Sequence, residues 1–125
     1  MIMNYLYTQV KVKVDRPLGS KHPKYNFVYL VNYGFIPNTI ARDGGGIDAY
    51  ILGEFEPLET YEGKVIAVIK RRDDIEDKLV VSNRFYTTEQ ICALIEFQER
   101  FFSAQIITEF NLGISISQPS NKLHH

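Results

Sequence analysis

The strand pattern that decides the fold is GKVIAVIKR at residues 63–71. The five residues from Val65 to Ile69 form an uninterrupted apolar run. A run of this kind is typical of a strand that is buried on both faces. We therefore expect this segment to be covered by protein on either side.

Shorter strand patterns flank this segment. Residues 5–14 are predicted to be a strand with one buried face, because valines alternate with lysines from Val10 to Val14. The same alternation sends Asp15 to the side of Lys11 and Lys13. Turn formers fill the loop at residues 16–25, and Asn32-Tyr33-Gly34 is predicted to be a bend. Further strands are predicted at residues 26–31, from Ile47 to Leu52, from Lys78 to Val81 and from Ile106 to Phe110.

One helix is predicted near the end of the chain. Thr87 and Gln90 have the spacing of a capping box, and apolar residues then recur at helical intervals. We expect a helix from about Thr88 to Phe102. Several short strands and one late helix favour a mainly β (α+β) fold, a small OB-type β-barrel with one C-terminal helix.

Composition narrows the functional class. The net charge of −1 is not that of a strongly basic nucleic-acid binder. An OB-fold nucleic-acid binder would also need a basic groove, whereas acids cluster in this chain. Cys92 is the only cysteine, so no intrachain disulfide can form. Because no apolar run could span a bilayer and no signal-peptide pattern is present, we expect a cytoplasmic protein without a membrane partner.

The length of 125 residues predicts one domain, which we place at residues 1–119. We interpret residues 120–125 as a disordered tail or the remnant of a purification tag.

Two acidic clusters could carry chemistry. The first is DGGGID at residues 43–48, and the second is DDIEDK at residues 73–78, directly after the strongest strand. Short carboxylate side chains suit Mg²⁺, which prefers oxygen ligands, and glycines let the chain fold tightly around an ion. Each cluster taken alone also fits an ordinary turn or a solvated acidic face. Together they predict a magnesium site.

Six stretches carry a family resemblance: VKVDRP (12–17), HPKY (22–25), NYGFI (32–36), DGxxID (43–48), VIAV (65–68) and DxxxDKL (73–79). On this ordered set the chain resembles the soluble family I inorganic pyrophosphatases. The resemblance implies an OB-type barrel, Mg²⁺-dependent hydrolysis of pyrophosphate or a related phosphoanhydride, and assembly as a homo-oligomer. The assignment of the barrel to the OB type rests partly on this resemblance.

The resemblance also assigns roles by position. It implies metal ligation by Asp43, Asp48, Asp73, Asp77 and Asp15, and phosphate contacts and catalysis by Lys24, Tyr33 and Lys78. Asp48 would have to serve as the base. The choice between Asp77 and Glu76 is a matter of strand parity: Glu76 shares a face with Lys78, whereas chemical identity favours Asp77. We name Asp77 first.

Three departures from the family pattern keep a second interpretation open. Gly45 occupies the position of the middle aspartate of the family signature, and Phe102-Ser103 replaces a Tyr-Lys pair. A hairpin with a phosphate-binding arginine is missing, and Arg16 could partly substitute for it. The alternative is therefore a catalytically weakened or inactive homologue that binds metal, phosphate or a protein partner.

Overall fold

The computed structural model describes residues 2–41, 44–72, 76–108 and 112–115. Within them a 3₁₀ turn, Ile2–Tyr5, precedes β1 (Gln9–Arg16), β2 (Asn32–Ile36), β3 (Ile47–Ile51), β4 (Thr60–Arg71), β5 (Asp77–Ser82), helix α1 (Thr88–Glu99), β6 (Ala104–Ile107) and β7 (Leu112–Ser115). No helix among these residues is long and apolar enough to cross a membrane. The predicted tail at residues 120–125 lies outside the described residues.

Five strands close into a barrel because β4 is long enough to have several partners. The sheet order is β1-β2-β3-β5-β4-β6-β7, and β4 also pairs with β1. The first half of β4 bonds β1, and its last four residues bond β6. The pairing of β3 with β5 is parallel, and the other pairings are antiparallel. This architecture confirms the predicted small β-barrel with one C-terminal helix.

Apolar residues fall into two clusters on opposite faces of the barrel wall. The barrel interior holds Val12, Ile36, Ile47, Ala49, Ile51, Val65, Val68, Leu79 and Val81. The outer cluster packs Tyr50, Leu52, Ala67, Ile69 and Val80 against Ile91 and Ile95 of α1. β4 supplies both clusters because its side chains point to alternate faces, with a bulge between Val65 and Ala67 that shifts the alternation. The prediction of burial on both faces is therefore confirmed.

The predicted helix is present and begins where its cap indicates. Thr87 Oγ1 accepts a hydrogen bond from the Gln90 backbone N–H at 3.1 Å, and Gln90 Oε1 accepts one from the Thr87 N–H at 2.8 Å. The helix ends at Glu99, earlier than the predicted Phe102. The helix ends in 3₁₀-type hydrogen bonds that span three residues, from Phe101 N–H to the Gln98 carbonyl and from Phe102 N–H to the Glu99 carbonyl. β6 then begins at Ala104.

Several predicted strand boundaries are wrong. β1 begins at Gln9, because residues 2–5 form the 3₁₀ turn. Residues 32–34, predicted to be a bend, begin β2. Residues 26–31, predicted to be a strand, form a loop with one bridge between Lys21 and Val28. The alternation there buries Tyr29 and Val31 in the outer cluster without a strand ladder.

The C-terminal strand prediction, Ile106 to Phe110, is only partly matched. β6 lies earlier, at Ala104–Ile107, and residues 109–111 lie outside the described residues. The following strand, β7, was not predicted.

A close approach of two strands positions one wall of the site. Val14 pairs with Gly34 and Arg16 pairs with Tyr33, so Asp15 is an extra residue in a bulge of β1. A Cβ atom on Gly34 would lie 2.0 Å from the carbonyl oxygen of Lys13. Only glycine therefore lets β2 pass this close to β1. The bulge sets Asp15 and Arg16 side by side, and both line the cavity described below.

We expect Gly34→Ala to lower the free energy of unfolding by about 3 kcal/mol, because the added methyl meets backbone that cannot move aside. Urea denaturation measures this. Gly19→Ala is the matched control: Gly19 has a φ of 90° but open space around it, so only a backbone cost of about 1 kcal/mol is expected. Equal losses in the two variants would show that the strand approach is not tight.

Candidate active site

A cavity of about 350 Å³ lies on the outer face of the barrel, beside the C-terminal end of α1. Predicted site residues that line it are Asp15, Arg16, Lys24, Tyr33, Asp48 and Lys78. They come from β1, β2, β3, β5 and the loop between β1 and β2. The fold therefore brings together residues that lie far apart in the sequence.

The floor of the cavity is an ion pair set by the parallel pairing of β3 with β5. Asp48 lies directly opposite Lys78 in this register. Lys78 Nζ donates to Asp48 Oδ2 at 2.7 Å, and Tyr33 Oη donates to the same oxygen at 3.0 Å. The Lys78 side chain is 4% exposed and that of Asp48 is 30% exposed, so Asp48 faces the cavity while the lysine lies below.

Tyr33 is held in its neutral form. Burial raises the pKa of Tyr33 well above its ordinary value, and the negative charge of Asp48 raises it further. The phenol therefore stays a hydrogen-bond donor across the physiological range. Its bond to Oδ2 fixes the orientation of the Asp48 carboxylate.

Strand parity places Glu76, and not Asp77, at this site. Lys78 Nζ forms a second ion pair with the Glu76 carboxylate, and Glu76 lines the cavity. Asp77 lies opposite Lys70 in the β4–β5 register and lines a different cavity of about 470 Å³ with Lys70 and Ile47. Glu76 therefore lines the cavity that holds Lys78 and Asp77 does not, because successive side chains of an extended chain point to opposite faces. Metal ligation by either residue stays a prediction.

The two remaining predicted ligands, Asp43 and Asp73, lie outside the described residues. Among residues 2–41, 44–72 and 76–108, no group of three or more His, Cys, Asp or Glu side chains is gathered closely enough to hold a metal ion. Three carboxylates nevertheless line the cavity, those of Asp15, Asp48 and Glu76. These hard oxygen donors fit the preference of Mg²⁺.

The electrostatics of Asp15 also suit a cation. Burial raises the pKa of Asp15; the neighbouring Arg16 opposes this rise, and the Asp48 carboxylate adds to it. A positive charge bound between the two carboxylates would relieve their repulsion.

A second, buried layer forms part of the cavity wall and continues beneath it, and it was not predicted from the sequence. Arg71 Nε and Nη2 donate to the two Glu99 carboxylate oxygens at 3.1 and 2.6 Å. Tyr50 Oη donates to Glu99 Oε2 at 2.5 Å, and Gln98 Nε2 donates to Tyr50 Oη at 2.7 Å. Tyr29 Oη donates to Gln98 Oε1 at 2.8 Å. This network ties α1 to β3 and β4.

Arg71 stays charged in this layer, and Tyr50 and Tyr29 stay neutral. Burial alone would lower the pKa of Arg71, but the hydrogen bonds and charge of Glu99 outweigh it and raise the pKa above its usual value. Burial, and then the charge of Glu99, raise the pKa of Tyr50 well above its usual value. Burial raises the pKa of Tyr29 to about 12.

Arg71 also adds a cation to the cavity wall. Its guanidinium lies 3.6 Å from the centroid of the Phe102 ring, and both residues line the cavity. The sequence held one clue to this layer: Glu99 follows Ile91 and Ile95 at intervals of four, which puts a carboxylate on the apolar face of the helix. A carboxylate buried in this way needs a cationic partner.

Comparisons with known proteins agree on one family. The sequence profile described as "Inorganic pyrophosphatase" matches residues 3–109. The inorganic pyrophosphatase of Saccharolobus solfataricus is 38% identical over 74 residues, which cover 57% of this chain and 40% of that protein. That of Neisseria meningitidis serogroup A is 42% identical over 59 residues, 43% of this chain and 33% of that protein. The matched part thus spans two fifths or less of these relatives.

Solved structures show the same fold at low sequence identity. The inorganic pyrophosphatase of Ehrlichia chaffeensis superposes with a TM-score of 0.64 at 16% identity, covering 82% of this chain and 87% of that one. The inorganic pyrophosphatase of Thermus thermophilus superposes with a TM-score of 0.55 at 17% identity, covering 79% and 80%. At these identities the likeness establishes the architecture.

We expect Arg71→Met to lower the free energy of unfolding by about 3–5 kcal/mol, because it leaves the Glu99 carboxylate buried without its ion-pair partner. Arg71→Met combined with Glu99→Leu should recover most of this loss. Urea denaturation of the three proteins measures both effects.

The matched control for this prediction is Arg100→Met, because Arg100 bonds Glu96 on the exposed face of the same helix. Losing a surface pair of this kind costs about 0.5 kcal/mol. If Arg71→Met were no more destabilising than Arg100→Met, the buried pair would not anchor the helix.

Proposed function

Because the chain belongs to the inorganic pyrophosphatase family, we propose that it catalyses the Mg²⁺-dependent hydrolysis of inorganic pyrophosphate to phosphate. The observation that supports this most strongly is the convergence of Asp48, Glu76 and Lys78 at one cavity, with Tyr33 bonded to Asp48. Carboxylates and cations side by side are what a metal-bound phosphoanhydride requires.

In this proposal the metal ligands are Asp48 and Glu76, Asp15 at the cavity edge, and Asp43 and Asp73 from the acidic loops. Bound Mg²⁺ supplies charge neutralisation at the phosphoryl oxygens and lowers the pKa of a bound water. Both hydrogen bonds that Asp48 accepts from described residues use Oδ2, and the residue lines the cavity. Oδ1 is thus the atom that we assign as proton acceptor for the attacking water.

The cationic side chains divide into two sets. Lys78 is buried and orients Asp48 and Glu76, whereas Lys24 is exposed at the rim and lines the cavity from the loop. Arg16 of β1 and Arg71 of β4 line the same cavity. Cations already fixed around the cavity stabilise the charge that develops on phosphate oxygens without having to reorganise.

The size of the cavity supports a small substrate. Its volume of about 350 Å³ is near the lower end of the range for small-molecule sites. Arg71 partly replaces the cations that the family resemblance leads one to expect at Phe102-Ser103 and on the missing hairpin. The proposal also includes a related small phosphoanhydride as the substrate.

The assembly and location of the protein are also part of the proposal. We infer from the family resemblance that the protein is a cytoplasmic homo-oligomer without nucleic-acid or membrane partners. Large apolar side chains at the surface support the oligomer. Ile40 is 82% exposed, and Phe55 and Phe85 are each 76% exposed. A monomeric mass in sedimentation velocity would contradict the oligomer.

Gly45 favours the second candidate, a homologue that binds without turnover. It stands where the family signature has a carboxylate, and losing one positioned group typically costs roughly 10²–10³ in rate. Such a protein would bind Mg²⁺ and pyrophosphate in calorimetry but release no phosphate.

We expect the protein to release phosphate from pyrophosphate only when Mg²⁺ is present. Asp48→Asn should lower the kcat of this reaction by roughly 10²–10³-fold. Asparagine keeps the shape of Asp48 but removes the negative charge needed for the cation and the proton. A colorimetric phosphate assay with and without EDTA measures this. Turnover that persists in Asp48→Asn would exclude Asp48 from catalysis.

The matched pair for the same assay is Glu76→Gln against Asp77→Asn, neighbours at the start of β5 that line different cavities. Glu76→Gln should reduce the activity strongly, and Asp77→Asn should leave it near that of the unmodified protein. The reverse result would return the ligand role to Asp77.

A further inference from the structure

A tight turn presents Lys24 at the rim of the cavity. The His22 backbone N–H bonds the Phe27 carbonyl at 3.0 Å, and Lys21 bridges to Val28, so residues 22–27 close on themselves. Inside the turn, His22 Nδ1 accepts hydrogen bonds from the backbone N–H groups of Lys24 at 3.0 Å and Tyr25 at 3.1 Å. A backbone amide only donates, so Nδ1 carries the lone pair and the proton of the neutral ring lies on Nε2.

The imidazole is itself held in place by aromatic rings. Its centroid lies 4.8 Å from that of Tyr25, 4.9 Å from Phe27 and 5.9 Å from Tyr29, the last in a stacked arrangement. Tyr25 stacks in turn on Phe101 at 5.5 Å, just beyond the end of α1. The turn is therefore attached to the body of the protein through rings, and its backbone is fixed by the His22 acceptor.

We propose that His22 is a positioning residue that, through its neutral imidazole, fixes the backbone of Lys24 so that the lysine meets the substrate phosphate. This inference rests on the proposed function. Lys24 is otherwise an exposed side chain with high conformational freedom, and fixing its backbone in advance lowers the entropy lost on binding. His22 acts on the substrate only through Lys24.

The charges around His22 agree with the neutral form. Burial lowers the pKa of His22, and the cations that face it, Arg16 and Lys24, lower it further. Protonation at Nδ1 would turn the acceptor into a donor opposed to two backbone N–H groups. The neutral tautomer is thus the form compatible with the observed turn.

Three substitutions separate the acceptor from the ring. His22→Phe keeps the aromatic packing but removes the acceptor. His22→Asn places Oδ1 the same number of bonds from the backbone as Nδ1, and asparagine accepts readily from the amide two residues on. His22→Gln carries its oxygen one bond too far.

We expect His22→Phe and His22→Gln to raise the KM for pyrophosphate roughly three- to tenfold, as fits the loss of one or two hydrogen bonds, with a much smaller change in kcat. His22→Asn should restore the KM of the unmodified protein. If His22→Phe left KM unchanged, or His22→Asn were impaired as much as His22→Phe, the proposal would be overturned.

An NMR measurement tests whether His22 fixes the Lys24 backbone, even if pyrophosphate is not the substrate. Imidazole ¹⁵N signals that disappear in His22→Asn belong to His22, and they should show the Nε2–H tautomer at neutral pH. The Lys24 and Tyr25 amides should exchange with solvent faster in His22→Phe than in His22→Asn. A proton on Nδ1, or exchange rates that do not differ, would overturn the inference.

Discussion

The pairing that everything else at the site depends on is the parallel register that sets Asp48 opposite Lys78. It places an acid from β3 and a cation from β5 on the outer face of the barrel, while their neighbours Ala49 and Leu79 fill its interior. A lysine whose side chain is 4% exposed must have anionic partners, and Asp48 and Glu76 supply them. One strand pairing therefore decides the packing of the core and the chemistry of the cavity.

The buried layer around Arg71 and Glu99 gives this arrangement a fixed support. It joins β4 to the last turn of α1 through two hydrogen bonds, and it reaches β3 through Tyr50. Groups that must hold a metal and a phosphate within a fraction of an ångström need such support, because loose side chains lose the benefit of being positioned in advance. The same layer adds a guanidinium to a wall that the resemblance alone would have left without it.

Local patterns in the sequence predicted much of the fold. Three patterns predict a local structure that the fold contains: the valine alternation, the apolar run at residues 65–69 and the Thr87–Gln90 cap. The strand prediction for residues 26–31 is wrong because their alternation buries aromatic side chains against α1 and does not form a strand ladder. At the start of β5, parity and not chemical identity decides that Glu76 lies beside Lys78 at the cavity, while Asp77 lines the second cavity. The Arg71–Glu99 pair could not be predicted, since its partners stand 28 residues apart and meet only when the barrel closes.

The most direct test of the central claim is to replace Mg²⁺ by paramagnetic Mn²⁺ and record which amide NMR signals broaden. If Asp48 and Glu76 form the metal site beside Lys78, broadening should centre on the amides of Asp48, Glu76 and Tyr33. Those of Ile2, Tyr5 and Ile40 around the second cavity should stay sharp. Broadening centred on that second cavity, or spread without a centre, would contradict the account.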